Sequence, residues 1–330
     1  MALSEFAMIE QLFKQQAAQF PLDPQLILGI GDDAAIINPI HEAQSHWAIS
    51  TDTLVVGTHF FADDPPQWIG HKSLAVNLSD LAAMGAQPRW FTLSLTLPAL
   101  NPVWLSKFSE GLFQLARAHA IQLIGGNTTQ GPLSITIQVM GDVSGCGLAR
   151  SSAKANDDIW VTGCLGGAGW ALQQLLASHD RSSLIEKTPA LFVRYYQPQP
   201  RVAAGLVLRS LAHAAIDLSD GLLGDLSHLC LASGLGADIW LDQLPVDDAV
   251  KDACDATEAL RLALTAGEDY ELCFTAAVDQ RSDILQCLAQ QGLLVSRIGQ
   301  MRLSSGVCYF SSGDPIDLSH WSGFEHFKAI

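Results

Sequence analysis

Apolar positions along this chain recur in two periods, one near 3.6 residues and one of 2, and the two periods trade places repeatedly. Phe6, Ile9, Leu12 and Phe13 fall at helical spacing, which predicts an amphipathic helix over residues 4–19, closed by Pro21 and Pro24. The apolar runs Leu26–Leu28 and Ala34–Ile37 predict two short strands around a glycine-containing turn. Trp47–Val56 reads as a strand. Residues 67–85 read as a helix with Ile69, Leu74, Leu78, Leu81 and Ala82 on one stripe and Gly85 as its C-cap. There follow a strand at Trp90–Leu97, a helix at Pro102–Ala118, a short buried strand at Ile121–Ile124 and a cleanly alternating strand at Ser134–Val143.

The second half repeats the mixture. Strands are predicted at Asp158–Thr162, Ala214–Leu218, Glu271–Phe274, 293–299 and 306–310. Helices are predicted after Gly163–Gly169 and near 188–196, 201–213, 222–233 and 278–291, with a loop-like tail to Phe324. Strands alternating with helices imply an α/β (α+β) fold with mixed sheets and flanking helices. The stretch Gly145–Asp158 is rich in glycine, serine and charge, and it places a boundary between domains at 1–150 and 151–330.

Composition narrows the function. Hydrophobic residues make up 48% and charged residues only 16%, enough to build real cores. The formal charge is −16, which argues against non-specific binding to nucleic acid or anionic membranes and requires bridging cations if the ligand is a phosphate. Seven widely spaced cysteines, without Cys-x-x-Cys, fit reduced thiols in a cytoplasm. Met1–Glu10 has no basic region of a secretory signal, and Pro98 and Pro102 break the longest uncharged apolar stretch, so no membrane span is expected.

Small acidic inserts interrupt the apolar runs. Asp32 and Asp33 follow Gly29-Ile30-Gly31. Asp52 sits in Ser50-Thr51-Asp52-Thr53 within a β-like run, and Asp80 follows Asn77 by three residues on one helix face. Asp217-Leu218-Ser219-Asp220 lies at a strand-to-helix mouth, where one N-cap accounts for only one such side chain. Such local conflicts concentrate at functional sites. Oxygen donors without interspersed His or Cys favour a hard cation, Mg²⁺ or Ca²⁺. Gly163–Gly169 lacks the Gly-Lys-Ser/Thr ending of a P-loop, so close helix–strand packing is its expected use. Gly125-Gly126 could bring backbone N–H groups to an anion or be a plain turn. No His-Glu-x-x-His, Gly-x-Ser-x-Gly or EF-hand loop is present, which weighs against a zinc hydrolase, a serine hydrolase and a Ca²⁺ sensor.

Taken together, the motifs Gly29–Ala35, Ile49–Val55, Val76–Gly85, Ile216–Leu222, Gly267–Leu272 and Trp321–Phe327 resemble thiamine-monophosphate kinase, within the superfamily of aminoimidazole ribonucleotide synthetase and selenophosphate synthetase. The resemblance implies a two-domain PurM-like architecture, a homodimer formed through the N-terminal domains, and in-line transfer of the γ-phosphoryl of ATP to thiamine monophosphate with several Mg²⁺ ions. For such a transfer no covalent nucleophile is expected, and no general base, because the acceptor phosphate is largely deprotonated at neutral pH. By motif, Asp33, Ser50, Thr51, Asp52, Asp80, Asp217 and Asp220 would hold Mg²⁺. Gly126, Asn127, Arg150 and Ser219 would contact ATP, and His59, Glu268 and Phe324 would meet thiamine monophosphate. Asn127 stands where the family usually has aspartate, which weakens it as an Mg²⁺ ligand, and Phe324 where tyrosine or tryptophan is common. Two competitors remain at this point: another ATP-using enzyme of the superfamily, and a catalytically silent metal- or nucleotide-binding module. Selenophosphate synthesis is disfavoured because the first cysteine is Cys146.

Overall fold

The computed structural model describes residues 25–38 and 45–323. The helix expected over 4–19 and the residue Phe324 lie outside them.

Two mixed sheets organise the chain. The first is built from β1 (Leu26–Leu28), β2 (Ala35–Ile37), β3 (Ser45–Val55), β4 (Gln87–Leu97), β5 (Gln122–Gln130) and β6 (Ser134–Ser144), in the order β1-β2-β3-β6-β4-β5. Helices α1 (Pro66–Ala83) and α2 (Pro102–Ala118) pack against each other beside it. The second sheet contains β7 (Asp158–Thr162), β8 (Ala214–Asp217), β9 (Gly236–Trp240), β10 (Leu272–Ala276), β11 (Val295–Arg302), β12 (Gly306–Ser311) and β13 (Asp314–Ile316), ordered β13-β12-β9-β11-β7-β10-β8. Its flanking helices are α3 (Gly167–Ala177), α4 (Arg181–Lys187), α5 (Pro189–Tyr196), α6 (Val202–Leu208), α7 (Leu222–Ser233), α8 (Asp248–Ala253), α9 (Ala256–Thr265) and α10 (Arg281–Gln290).

Helix α1 is the pivot. It contacts β3 and β6 on one side and β8 and α6 on the other. Leu74, Ala75, Leu78 and Leu81 are wholly inaccessible, and so, nearly, are the polar residues Lys72, Ser73, Asn77 and Ser79. A helix buried all round loses the one-sided stripe of a surface helix. Its polar side chains therefore serve something other than solvation.

Three expectations need correction. The strand expected at Ile121–Ile124 runs from Gln122 to Gln130 and is largely exposed, not buried. Gly125, Gly126 and Asn127 pair with Thr92, Leu93 and Ser94 of β4, so the Gly-Gly element is strand rather than turn. Main-chain pairing with one parallel neighbour extends a polar sequence without an apolar pattern. The helix expected over 201–213 stops at Leu208. Helices α4 and α8 and strands β9 and β13 escaped the periodicity, being short, and helix α9 went unpredicted. For α9 a signal existed: Asp255 stands three residues before Glu258 and accepts hydrogen bonds from the Thr257 and Glu258 amides.

Candidate active site

Strand ends and loops from both sheets meet α1 around a cavity of 490 Å³. Asp33, Asp52, Asp80, Asp217 and Asp220 line it, with Arg150, Ser219, His59, Lys72, Tyr195 and Glu268. One carboxylate oxygen each from Asp33, Asp80 and Asp217 lie within 4.8 Å of one another. A larger groove of 680 Å³ between α7 and β12 is mainly apolar and gathers no such cluster.

Each acid is placed by identifiable bonds. Asp32 accepts from the Asp33 and Arg150 amides, each at 3.0 Å. Asp33 receives the Arg150 guanidinium on both oxygens, at 2.9 and 2.5 Å. The adjacent pair therefore does not simply face water. Ser50 donates to Asp80 at 2.5 Å, and the Asp52 amide donates to the buried Asn77 side chain at 3.1 Å, tying β3 to α1. The side chain of Thr51 does not line the cavity, and its hydroxyl accepts from Gln138 at 3.3 Å. At the mouth of α7 the N-cap is Gly221, with no side-chain cap bond. Ser219 and Asp220 both line the cavity beside this helix start, and Asp225 accepts from the Asp220 amide at 3.1 Å. Gly126 and Asn127 lie in β5, and neither lines the cavity.

Like charges accumulate here beyond what the chain compensates. Burial, then the charges of Asp33 and Asp220, push Asp52 up to about 6. Burial and the neighbouring Asp33 do the same to Asp32, up to about 6. Asp80 and Asp217 are driven well above the carboxylate range, first by burial and then by the acids around them. Arg150 is pulled the other way: burial disfavours its charge, but Asp33 outweighs that and holds it fully charged. Paired oxygen donors with this much repulsion, and no His or Cys among the three that converge, suit a divalent hard cation.

Around Glu268 the backbone is strained. Glu268 and Tyr270 have φ of +72° and +48°, a region side chains avoid. Two features hold them there. The Glu268 and Tyr270 amides donate to the Ser219 and Leu218 carbonyls at 2.8 and 2.9 Å, and a Cβ on Gly267 would lie 2.2 Å from the Ser219 carbonyl. Asp269, between them, accepts from the Gly166 amide at 2.9 Å at the start of α3. The glycine-rich turn at 163–169 thus binds an internal carboxylate, which explains its resemblance to an anion cradle.

Comparison with known proteins agrees with this layout. The models for the AIR synthase related protein match at residues 31–143 for the N-terminal domain and 154–306 for the C-terminal domain. The thiamine-monophosphate kinase of Escherichia coli strain K12 is 46% identical over 333 residues, covering 99% of both chains. The chain belongs to the thiamine-monophosphate kinase family.

The family likeness extends to distant members and to structures. The Bacillus subtilis strain 168 kinase is 32% identical over 99% of this chain and 100% of its own. The crystal structure of thiamine-monophosphate kinase from Stenotrophomonas maltophilia K279a superposes with a TM-score of 0.77 at 43% identity, covering 96% of this chain and 99% of that one. AaThiL complexed with AMPPCP and TMP gives a TM-score of 0.83 at 28% identity, over 98% and 97%. The two-sheet α/β architecture is that of these kinases. No described helix is long and apolar enough to cross a membrane. Lys72 and Tyr195 line the cavity and were not singled out by sequence reading. Lys72 carried a signal: it is the only Lys or Arg in α1.

Proposed function

We propose that this chain transfers the γ-phosphoryl group of ATP directly to thiamine monophosphate, giving thiamine diphosphate. The observation that carries the reading is the convergence of Asp33, Asp80 and Asp217 within 4.8 Å, in the same cavity as Asp52, Asp220, Arg150, His59 and Glu268. The family supports it, as does AaThiL complexed with AMPPCP, an analogue of ATP, and TMP.

Asp33, Asp52, Asp80, Asp217 and Asp220, with Ser50, would hold Mg²⁺, several ions by the number of carboxylates. Bound Mg²⁺ supplies charge neutralisation between phosphate oxygens and these acids. Arg150 and Ser219 serve the nucleotide, Arg150 by turning its fork from carboxylate to phosphate. His59 and Glu268 serve the acceptor. The Val55 amide donates to His59 Nδ1 at 3.0 Å, which sets the tautomer with the proton on Nε2. That ring orients and donates. No base is required, because a phosphate monoester loses its second proton near pH ~6.

We divide the chain into residues 1–150, carrying most of the metal and nucleotide ligands, and 151–330, completing the site. We place a homodimer contact on the exposed first sheet, where Val55 and Ile124 present apolar side chains. Gly126 and Asn127 belong to this surface, and a second copy would give them a ligand to meet. Seven free thiols accord with the cytoplasm.

The test is ADP release measured across thiamine, its monophosphate and its diphosphate, with and without Mg²⁺. Release that needs both thiamine monophosphate and Mg²⁺, with thiamine diphosphate as product, is expected. Release independent of the acceptor, or none with it, overturns the reading.

A further inference from the structure

Lys72 touches both His59 and Glu268, the two described residues assigned to the acceptor. It is only 2% exposed. Its ammonium lies 2.8 Å from Glu268 Oε2, donates to the His59 carbonyl at 3.2 Å and sits 3.7 Å from the centre of the Tyr195 ring. The Tyr195 hydroxyl donates to the same His59 carbonyl at 3.1 Å. His59 comes from the loop after β3, Glu268 from the loop before β10 and Tyr195 from α5. One buried charge thus joins three segments far apart in the chain.

The arrangement is costly. A lysine taken out of water loses its hydration unless its partners restore it. A buried apolar side chain would fill α1 more cheaply. Lys72 stands eight residues from Asp80, about 12 Å along the helix axis. It therefore does not belong to the carboxylate cluster. The strained Glu268 backbone gives the ammonium a task, because the carboxylate needs a fixed partner to stay aimed at the cavity.

We propose that Lys72 is a positioning residue for the acceptor subsite: it locks Glu268 and the His59 loop in register, so that a cationic heteroaromatic phosphate ester meets a preformed pocket. This rests on the function proposed above. The lysine touches no phosphate and takes no proton. It acts through Glu268.

The test is steady-state kinetics of the full-length enzyme. Lys72→Met is expected to raise KM for thiamine monophosphate about 10- to 100-fold, the scale of a misplaced binding group, with KM for ATP and kcat held. Lys72→Arg restores part of the loss, since a guanidinium keeps the charge and the stacking on Tyr195. Lys72→Arg in a Glu268→Gln background raises KM no further, because the group it acts through is already gone. Unchanged KM in Lys72→Met, an equal rise for both substrates, or the same rise from Lys72→Arg in both backgrounds overturns the inference. If Lys72→Met does not fold, the Lys72→Arg pair of measurements decides alone. A wild-type chain that does not use thiamine monophosphate overturns the proposed function and this inference together. An active wild type with an indifferent Lys72→Met overturns only the inference.

Discussion

Two groups of buried carboxylates in this molecule stand under opposite terms. In the cavity, Asp33, Asp80 and Asp217 crowd within 4.8 Å, and the guanidinium bonded to them is that of Arg150, on Asp33. In the second sheet, Asp158 is wholly inaccessible yet bonded by Arg281 and Arg297, and Glu271 is held by Arg201 and Thr162. Burial raises both groups, but the two arginines more than reverse it for Asp158, which falls below the ordinary carboxylate range. Asp158 and Glu271 are each given arginine partners by the fold. The acids in the cavity are left short of cations, at a cost in stability, a shortfall that the divalent ions proposed above would make good.

Substitutions separate the two kinds most sharply. Asp52→Ala and Asp220→Ala are expected to lower turnover at least about 10²- to 10³-fold, the scale of a lost electrostatic group, while the melting temperature of the metal-free protein holds or rises. Full activity in either variant removes Asp52 or Asp220 from the site. Proton and cation titration sharpen the contrast. Asp32 and Asp52 are raised from 3.8 to about 6 in the folded chain. The folded state therefore binds more protons in that window, and metal-free stability declines as pH climbs from 3.8 to about 6. Saturating Mg²⁺ should flatten that decline and add about 2.7 kcal/mol at a hundredfold excess over its Kd, read by thermal melting.

Asp158→Ala should do the reverse. Turnover stays, and stability drops by about 1–3 kcal/mol, discounted because both arginines are more than a third exposed. Because the Asp158 pKa is lowered, its contribution is present above 3.8 and lost only as pH falls below that value. The smallest effect belongs to a fully solvated pair. Lys251 and Asp248 lie 3.0 Å apart on α8 with Asp248 92% exposed, so Lys251→Ala should change stability by less than about 0.5 kcal/mol in a denaturant titration.

Much of the site could be read along the chain because acids that interrupt apolar runs are visible locally. Asp33, Asp52, Asp80, Asp217 and Asp220, all picked out in this way, line one cavity. Elements with a clean period, such as the helix Pro102–Ala118 and the alternating strand Ser134–Ser144, were equally plain. Strand β5 was not, because its hydrogen bonds to β4 impose no pattern on its side chains. Nor was the use of Asp269, which depends on the amide of Gly166, remote in sequence.

The sequence by itself determined the periods, the α/β class and the list of acids available for chemistry, since each is written in neighbouring residues. Which acids found a cation and which did not was settled only by tertiary structure. Asp158 meets arginines from α10 and β11, while Asp80 meets aspartates from β8 and the turn before β2. Compensation of charge acts through space over a few ångströms, and the chain brings those partners together only when it folds.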